Sequence, residues 1–201
     1  MLTPTVALGP KRASCKGHNR GVQFFDRVGL SSNGGIVTMD KRGILIEIPG
    51  FGTREVRTVV SDYTGTLSCG GRLATGLKEK LLTLQERVDI RIVSSDSFGT
   101  AREELAGVVT PDILTKERHD LEKQDYVKTF DLKHVAAFGN GNNDRLLLKT
   151  VKEGGGLAIA VDNGEGCAVD ALLNAHLFIV GAANALNLLL EPRSCKATLR
   201  F

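Results

Sequence analysis

The stretch VVSDYTGTLS, from Val59 to Ser68, decides how the rest of this sequence is interpreted. A run of β-branched apolar residues ends at a single carboxylate, Asp62, and a Thr-Gly-Thr turn follows at once. Such a run is typical of a strand that is buried on both faces of a parallel sheet. Because open α/β sheets bind their ligands at the carboxyl ends of the strands, Asp62 is a candidate functional residue.

Strand-like and helix-like segments alternate along the chain from residue 44 onward. The segments VRTVVS, DIRIVSS, HVAAFGNG, GGLAIAV and HLFIV have the pattern of strands, and stretches of helical period lie between them. This alternation predicts an α/β fold with a Rossmann-like, three-layer α/β/α sandwich around a mainly parallel sheet. The preceding segment ILIEIPG is predicted to be a short edge strand that Pro49 and Gly50 end.

Polar side chains follow the predicted strands in an order that suits phosphoryl transfer. After Asp62 come a Ser-Ser-Asp-Ser run that begins at Ser94, then Lys123, and then the segment GNGNND at 139–144. In that chemistry an aspartate attacks phosphorus, Mg²⁺ bridges the aspartate and the phosphate, and a lysine offsets the developing charge. Gly65 allows a turn that exposes backbone N–H groups to phosphate oxygens.

Each of these features also has a purely structural explanation. A carboxylate after a strand often caps the next helix, and the Ser-Ser-Asp-Ser run can do the same. A lysine on a helix is usually on the solvated surface, and GNGNND has the composition of a plain turn. The order and spacing of all four features together favour the functional interpretation.

The same segments resemble the motifs of a known superfamily. SDYTGTLS resembles the first motif of the haloacid dehalogenase-like (HAD) superfamily, IVSS its second, Lys123 its third, and FGNGNNDRLLL its acidic fourth motif. Within that superfamily the sequence is most similar to small soluble proteins related to the phosphorylation domain of P-type ATPases. The resemblance covers residues 44–201 and implies a HAD-like catalytic domain with hydrolase (phosphatase) activity.

The resemblance implies which residues would carry the chemistry. Asp62 would be the nucleophile that forms an aspartyl-phosphate, and Lys123 would pair with that carboxylate and with the phosphate. Ser94 would bind the transferred phosphoryl group, with Ser95 as the alternative if the register is shifted by one residue. The implied catalytic set is Asp62, Thr64, Ser94 and Lys123, and the implied phosphate-binding set is Gly65, Thr66, Ser94, Ser95 and Lys123.

The implied cofactor is Mg²⁺, held by Asp62, the backbone carbonyl of Thr64, Asn140 and Asp144. Two of these positions depart from the superfamily pattern. Thr64 stands where phosphatases usually have an aspartate that acts as general acid and base, and the loss of such a group costs about 10²–10⁴-fold in rate. Asn140 stands where an aspartate usually binds the metal, and its neutral amide contributes no charge.

These departures leave two hypotheses open. One is a Mg²⁺-dependent phosphohydrolase or phosphotransferase that turns over slowly. The other is a phosphorylatable or phosphate-sensing binding protein without efficient turnover. One helix and one strand fill each interval between the motifs, so no cap domain is expected. An open site suits a phosphorylated macromolecule, or a phosphorylated small molecule if a neighbouring copy in a homo-oligomer excludes water.

Residues 1–43 differ in composition from the rest of the chain, since they carry seven basic residues against two acids. A basic segment can contact nucleic acid, but this one lacks interleaved aromatic residues and any binding motif. We therefore expect a disordered leader before a catalytic domain at 44–201, with Met39 as an alternative start and no nucleic-acid partner. We also expect a cytoplasmic protein without a membrane partner, because the sequence has neither a signal peptide nor a long apolar run.

Overall fold

The computed structural model describes residues 29–30, 36–37, 43–115 and 117–201. The chain divides into two units, Met1–Asp40 and Lys41–Phe201. In the first unit, strands β1 (Gly29–Leu30) and β2 (Ile36–Val37) pair in antiparallel fashion. Apart from Gly43, the rest of the predicted leader, Met39 included, lies outside the described residues, so the prediction for residues 1–43 stays a prediction.

The described part of the second unit contains ten strands, seven α-helices and two short 3-10 helices, Leu132–His134 and Asn142–Asp144. Its strands are β3 (Ile44–Ile48), β4 (Gly52–Val56), β5 (Thr58–Ser61), β6 (Ser68–Cys69), β7 (Arg72–Leu73), β8 (Asp89–Ser94), β9 (Asp112–Ile113), β10 (Val135–Gly139), β11 (Leu157–Asp162) and β12 (Leu177–Val180). Its helices are α1 (Leu77–Gln85), α2 (Ala101–Glu104), α3 (His119–Val127), α4 (Arg145–Glu153), α5 (Val169–Leu173), α6 (Ala182–Leu190) and α7 (Arg193–Leu199). None of the helices in the described residues is both long and apolar enough to cross a bilayer.

Six strands form the central sheet in the order β12-β11-β10-β5-β8-β9, and every neighbouring pair is parallel. Strand β5 lies in the interior of this sheet, where Val59 pairs with Ala136 on one side and Ile90 on the other. Its apolar residues are therefore covered on both faces, as the β-branched run predicts. The predicted α/β fold with a parallel sheet is confirmed.

Helices cover both faces of the sheet and divide the core in two. On one face, α1 and α6 bury side chains such as Leu81 and Leu186 against the strands. On the other face, α3, α4 and α5 contribute Val127, Leu148 and Ala171 to a second cluster. Only the short β6–β7 hairpin and α1 lie between β5 and β8, so the described chain has no cap domain inserted there.

Two segments differ from the sequence-based prediction, and a third had none. Strand β3 does not join the central sheet as an edge strand, because it pairs with β4 in a separate antiparallel hairpin. The predicted strand VRTVVS is two strands, since β4 ends at Val56 and the N–H of Arg57 donates to the carbonyl of His134 (2.9 Å). The C-terminal segment, whose role the sequence does not indicate, forms α7 and buries Cys195.

We predict that Leu81→Ala destabilises the protein by about 2–5 kcal/mol, because it opens a cavity in a fully packed core. Leu81 is 1% exposed, whereas its neighbour Leu82 on the same helix is 36% exposed. Urea unfolding should therefore show a much smaller loss for Leu82→Ala. Similar losses for the two variants would contradict the orientation of α1.

Candidate active site

The site lies where the strand order reverses. The chain runs from β5 to β8 and β9 on one side of the sheet and then returns to β10 on the other side. The loops that follow β5 and β10 therefore diverge and leave a crevice at the carboxyl ends of the strands. Asp62 follows β5 directly, and its backbone N–H donates to the carbonyl of Phe138 in β10 (3.0 Å).

A buried lysine joins two carboxylates at this crevice. Lys123 Nζ donates to Asp62 Oδ1 (2.7 Å) and to Asp144 Oδ1 (2.6 Å). Lys123 and Asp144 are fully buried, and Asp62 is 3% exposed. The structure thus brings together three predicted site residues that lie far apart in the sequence, and it places Lys123 inside the protein rather than on the solvated surface of α3.

Burial and an excess of negative charge shift the protonation of this cluster. Burial raises the pKa of Asp62 to about 7; the Lys123 ammonium opposes this shift, and the Asp144 carboxylate adds to it. Burial also works against the charged form of Lys123, but the carboxylates of Asp144 and Asp62 outweigh it and raise the pKa of the lysine. Two carboxylates and one ammonium leave the site one positive charge short of neutrality.

The loop after β10 holds Asp144 in place through its own backbone. Asp144 Oδ2 accepts hydrogen bonds from the N–H groups of Asn140 (3.0 Å) and Gly141 (2.9 Å). A Cβ atom on Gly139 would lie only 2.5 Å from the Cβ of Asp144, so a side chain there would displace the carboxylate. The segment GNGNND is therefore a turn whose geometry presents Asp144 to Lys123.

Thr66 links the two sides of the crevice. Its Oγ1 lies 3.3 Å from Asp62 Oδ2 and 3.2 Å from Asn140 Oδ1. Gly65 has a φ of +75°, and a Cβ on it would lie 2.2 Å from Asn140 Nδ2, so only glycine fits between the two loops. The N–H of Gly65 donates to the carbonyl of Ser68 (3.1 Å) and thus has a partner inside the turn.

The two serines at the end of β8, Ser94 within the strand and Ser95 just after it, make no hydrogen bond to this cluster among the described residues. Ser94 is buried and its Oγ accepts from the N–H of Asp96 (2.9 Å), while Ser95 Oγ lies 3.3 Å from Ser97 Oγ. Asp96 Oδ1 in turn accepts from the N–H groups of Thr100 and Ala101 (both 3.0 Å) at the start of α2. The capping explanation of the Ser-Ser-Asp-Ser run therefore holds for Asp96.

Thr64 and Asn163 carry polar atoms that the described residues leave without a partner. Thr64 Oγ1 and Asn163 Nδ2 are both buried and make no hydrogen bond there. The N–H of Asn163, in the loop after β11, donates to the carbonyl of Gly65 (3.3 Å), so the two loops touch. The sequence motifs do not include Asn163, although its position just past β11 is the same signal that marks Asp62.

An acid–base bridge that the sequence did not indicate ties α3 to α4. Arg145 Nη2 donates to Asp120 Oδ2 (2.8 Å), and Arg118 Nη2 donates to the same oxygen (2.9 Å). Hydrogen bonds from Arg118 lower the pKa of Asp120 to about 2. Asp120 is one turn before Lys123, and Arg145 follows Asp144, so this bridge supports the positions of both cluster residues.

The donor atoms at the crevice fit a hard divalent cation such as Mg²⁺. The described residues contain no group of three or more His, Cys, Asp or Glu side chains that could hold a metal, so amide and backbone oxygens would have to complete the set. Asp62 Oδ2 and Asn140 Oδ1 both lie within 3.3 Å of Thr66 Oγ1 and thus border the same small space. Oxygen ligands and a net negative charge are what Mg²⁺ prefers.

Solved structures of two proposed HAD hydrolases and of a phosphatase superpose on this chain. A proposed HAD family hydrolase from Streptomyces avermitilis superposes with a TM-score of 0.53 at 18% identity, over 69% of this chain and 87% of that one. The cobalt-bound deoxy-D-mannose-octulosonate 8-phosphate phosphatase of Haemophilus influenzae gives a TM-score of 0.51 at 13% identity, over 73% of this chain and 94% of that one. A proposed subfamily III A hydrolase from Legionella pneumophila gives 0.53 at 16% identity, over 72% and 87%. The protein therefore has the HAD-like fold.

One curated protein is similar enough in sequence to show a family relationship, which the structural matches alone do not. The chain is 40% identical over 68 residues to the uncharacterized protein MJ0073 of Methanocaldococcus jannaschii, a match that covers 34% of this chain and 69% of that protein. The chain belongs to the same family as this archaeal protein. No protein-family model matches it.

We predict that, without divalent metal, the protein becomes less stable as the pH rises from about 4 to about 7. The folded state retains a proton on Asp62, whose pKa is raised from 3.8 to about 7, whereas the unfolded chain loses it. Melting temperatures measured in EDTA should therefore fall across this range, and Asp62→Asn should flatten the slope. Asp125→Asn, which changes a carboxylate that is 67% exposed on α3, should keep the wild-type slope. An identical slope in Asp62→Asn would contradict the raised pKa.

Proposed function

We propose that this protein is a Mg²⁺-dependent HAD-like phosphohydrolase or phosphotransferase that acts through an aspartyl-phosphate on Asp62. The observation that carries the proposal is the buried Asp62–Lys123–Asp144 cluster at the switch point of the sheet. A protein seldom buries two carboxylates around one lysine for stability alone, because desolvation opposes each charge. A carboxylate, a fixed cation and a pocket of oxygen donors are the groups that phosphoryl transfer requires.

Asp62 would act as the nucleophile in two balanced steps. In the first, an Asp62 oxygen bonds to phosphorus while the bond from phosphorus to the leaving oxygen breaks, and the leaving group keeps the electron pair. In the second, water attacks the same phosphorus, the acyl-phosphate bond breaks, and inorganic phosphate and the free carboxylate are formed. Asp62 Oδ2, which has only a long contact with Thr66, is the oxygen better placed to react, since Oδ1 is held by Lys123.

The other proposed site residues would bind charge or position groups. Lys123 would offset the negative charge that develops on the phosphoryl oxygens, and Thr66 would donate to one of them. Ser94, or Ser95 in its place, remains the proposed phosphate ligand at the end of β8. A Mg²⁺ ion held by Asp62, Asp144, Asn140 and the Thr64 carbonyl would supply the positive charge that the cluster lacks.

The structural neighbours support this proposal in two respects. The Haemophilus influenzae protein is a phosphatase whose substrate is a phosphorylated sugar acid, and it binds cobalt. A phosphorylated small molecule is therefore the favoured substrate class here, with a phosphorylated macromolecule as the alternative for an open site. We also propose a cytoplasmic location and a homo-oligomer in which a second copy helps to exclude water.

A second candidate function is a phosphorylatable or phosphate-sensing binding protein. Two residues favour it: Thr64 cannot act as an acid or base near neutral pH, and Asn140 offers the metal no charge. The phosphoenzyme would then form on Asp62 and persist, because neither Thr64 nor Asn140 can activate water as a general base.

Asp62→Asn should abolish the release of inorganic phosphate from acetyl phosphate in the presence of Mg²⁺, because the amide is a poor nucleophile. The exposed control Asp125→Asn should keep the wild-type rate. A stoichiometric, hydroxylamine-sensitive acyl-phosphate without turnover would instead support the binding protein. If the wild type forms neither product nor acyl-phosphate with a range of phosphorylated compounds, the assignment of Asp62 as nucleophile is wrong.

Thr64→Asp should accelerate hydrolysis of the phosphoenzyme, toward the roughly 10²–10⁴-fold that a general acid and base contributes. The matched control is Thr64→Asn, which has nearly the same shape as the aspartate but does not titrate. Single-turnover decay of the phosphorylated protein measures the step directly. Equal rates in the two variants would show that the missing acid is not what limits turnover.

A further inference from the structure

The exposed apolar side chains of the described residues are concentrated on one segment. Ten large apolar side chains are exposed there, and five of them lie in the twelve residues from 169 to 180, on α5 and β12: Val169, Leu172, Leu173, Phe178 and Val180. The other five are scattered singly over the rest of the chain. Single exposed apolar residues are normal, whereas a contiguous group marks an interaction site. We call these five side chains the α5–β12 face.

The alternation along β12 puts Phe178 and Val180 on the same side of the sheet as α5. Leu177 and Ile179 pack into the core cluster beneath α1 and α6, so their neighbours in the strand point to the opposite side. On that side α5 packs against α4 and adds Ala171 to the second core cluster. Phe178 and Val180 nevertheless remain exposed, so the described residues do not cover this side of β12.

The same strand ends the central sheet, and β11 is its one partner among the described strands. The N–H of Gly181 donates to the carbonyl of Asp162 in β11 (2.8 Å). Because backbone groups alternate in direction along a strand, those of Phe178 and Val180 point away from β11. The carbonyl of Val180 accepts from Asn184 Nδ2 (2.9 Å), which leaves the backbone of Phe178 as the open part of the edge.

The sequence of β12 does not protect this edge from pairing. Edge strands usually carry a charge or a proline, or are very short, and each feature prevents pairing with another chain. The strand at the opposite edge, β9, is two residues long and begins with Asp112. β12 has the sequence LFIV, without a charge or a proline. An edge strand of this kind requires a partner, since it would otherwise be a site of aggregation.

The charge pattern favours a second copy of the chain as that partner. Between Gly166 and Gly181 the sequence has one charged side chain, Asp170, whereas charged residues make up 24% of the whole chain. His176 is neutral near pH 7, because burial lowers its pKa to about 4. The surface that fits here must therefore be neutral and apolar as well. The face itself has these properties, and a twofold axis brings such a face against its own copy.

The face begins beside the candidate metal site. The N–H of Ala168, just before α5, donates to the carbonyl of Asn140 (2.7 Å). Asn140 Nδ2 in turn donates to the carbonyl of Gly166 (3.2 Å). A second copy that holds α5 in place therefore also holds the loop that carries Asn140.

We propose that a second copy of this chain docks on the α5–β12 face, and that the two β12 strands pair in antiparallel fashion about a twofold axis at Phe178. The two central sheets then form one sheet of twelve strands, and α5 packs against the α5 of the second copy on one side of it. The inference gives a surface to the homo-oligomer and rests on that part of the proposed function. The chemistry proposed for Asp62 does not depend on it.

Light scattering on the full-length protein measures the assembly. We expect a mass of at least twice the 21.6 kDa of one chain. Phe178→Lys places two like charges opposite each other at the axis, so it should lower the mass at least twofold. The matched control is Leu45→Lys, which changes an exposed apolar residue on the separate strand β3 and should keep the wild-type mass.

A second pair of variants tests α5. Leu172→Lys changes a residue that is 42% exposed on α5, and Leu121→Lys changes one that is 41% exposed on α3. We expect the first to lower the mass at least twofold and the second to leave it unchanged. Because Leu172 and Phe178 lie on different elements, this pair tests the face even if Phe178→Lys does not fold.

A mixture of two variants tests the twofold axis. Phe178→Lys and Phe178→Glu should each be monomeric, whereas equal amounts of the two should associate, because opposite charges then face each other across the paired strands. A mixture that stays monomeric would overturn the pairing at Phe178.

The remaining outcomes separate the face from the rest of the proposed function. A wild type that is monomeric at every concentration would overturn the inference and the proposed homo-oligomer together, and another molecule would then cover the face. A wild-type oligomer that both Phe178→Lys and Leu172→Lys leave intact would overturn the α5–β12 face alone. Neither result changes the assignment of Asp62, which phosphate release tests independently.

Discussion

The buried ion pair network around Lys123 is the constraint on which the rest of the site depends. Its ammonium lies within 2.7 Å of both Asp62 and Asp144, and all three side chains are almost completely removed from solvent. Burial raises the pKa of Asp62, and the Asp144 carboxylate adds to this shift, because the one positive charge of Lys123 cannot neutralise both carboxylates. The fold tolerates this imbalance only because both carboxylates are also held by hydrogen bonds, to Thr66 and to the backbone after β10. A site with this excess of negative charge favours a further cation, and the proposed reaction supplies one as Mg²⁺.

The geometry of the sheet explains why these groups meet. The loop that presents Asp62 follows the interior strand β5, and the loop that presents Asp144 follows its neighbour β10, across the point where the strand order reverses. Helix α3 reaches the same edge and delivers Lys123, while the bridge from Asp120 to Arg145 fixes α3 against α4. Three separate segments are thereby aligned to within hydrogen-bond distance by backbone pairing and helix packing.

The two departures at Thr64 and Asn140 have different structural consequences. Both ends of the Asn140 amide have a hydrogen-bond partner: Oδ1 lies near the hydroxyl of Thr66, and Nδ2 donates to the carbonyl of Gly166 (3.2 Å). The hydroxyl of Thr64, by contrast, has no hydrogen-bond partner among the described residues. The side chain of Asn140 is therefore held in place by its neighbours, whereas the hydroxyl of Thr64 is not.

The sequence by itself determined the parallel α/β architecture, the strand ends and the candidate residues Asp62, Lys123 and Asp144, because hydrophobic period and the spacing of polar residues are local properties. It could not separate β3 and β4 from the central sheet, since strand pairing is decided by distant partners. Nor could it show that Lys123 is buried, that Asp96 caps the start of α2, or that Asn163 contacts the loop after β5, which carries Asp62. Those facts depend on which loops the sheet brings side by side. Only the tertiary structure decides them, because hydrogen bonds and charge interactions act over a few ångströms in space, whatever the separation along the chain.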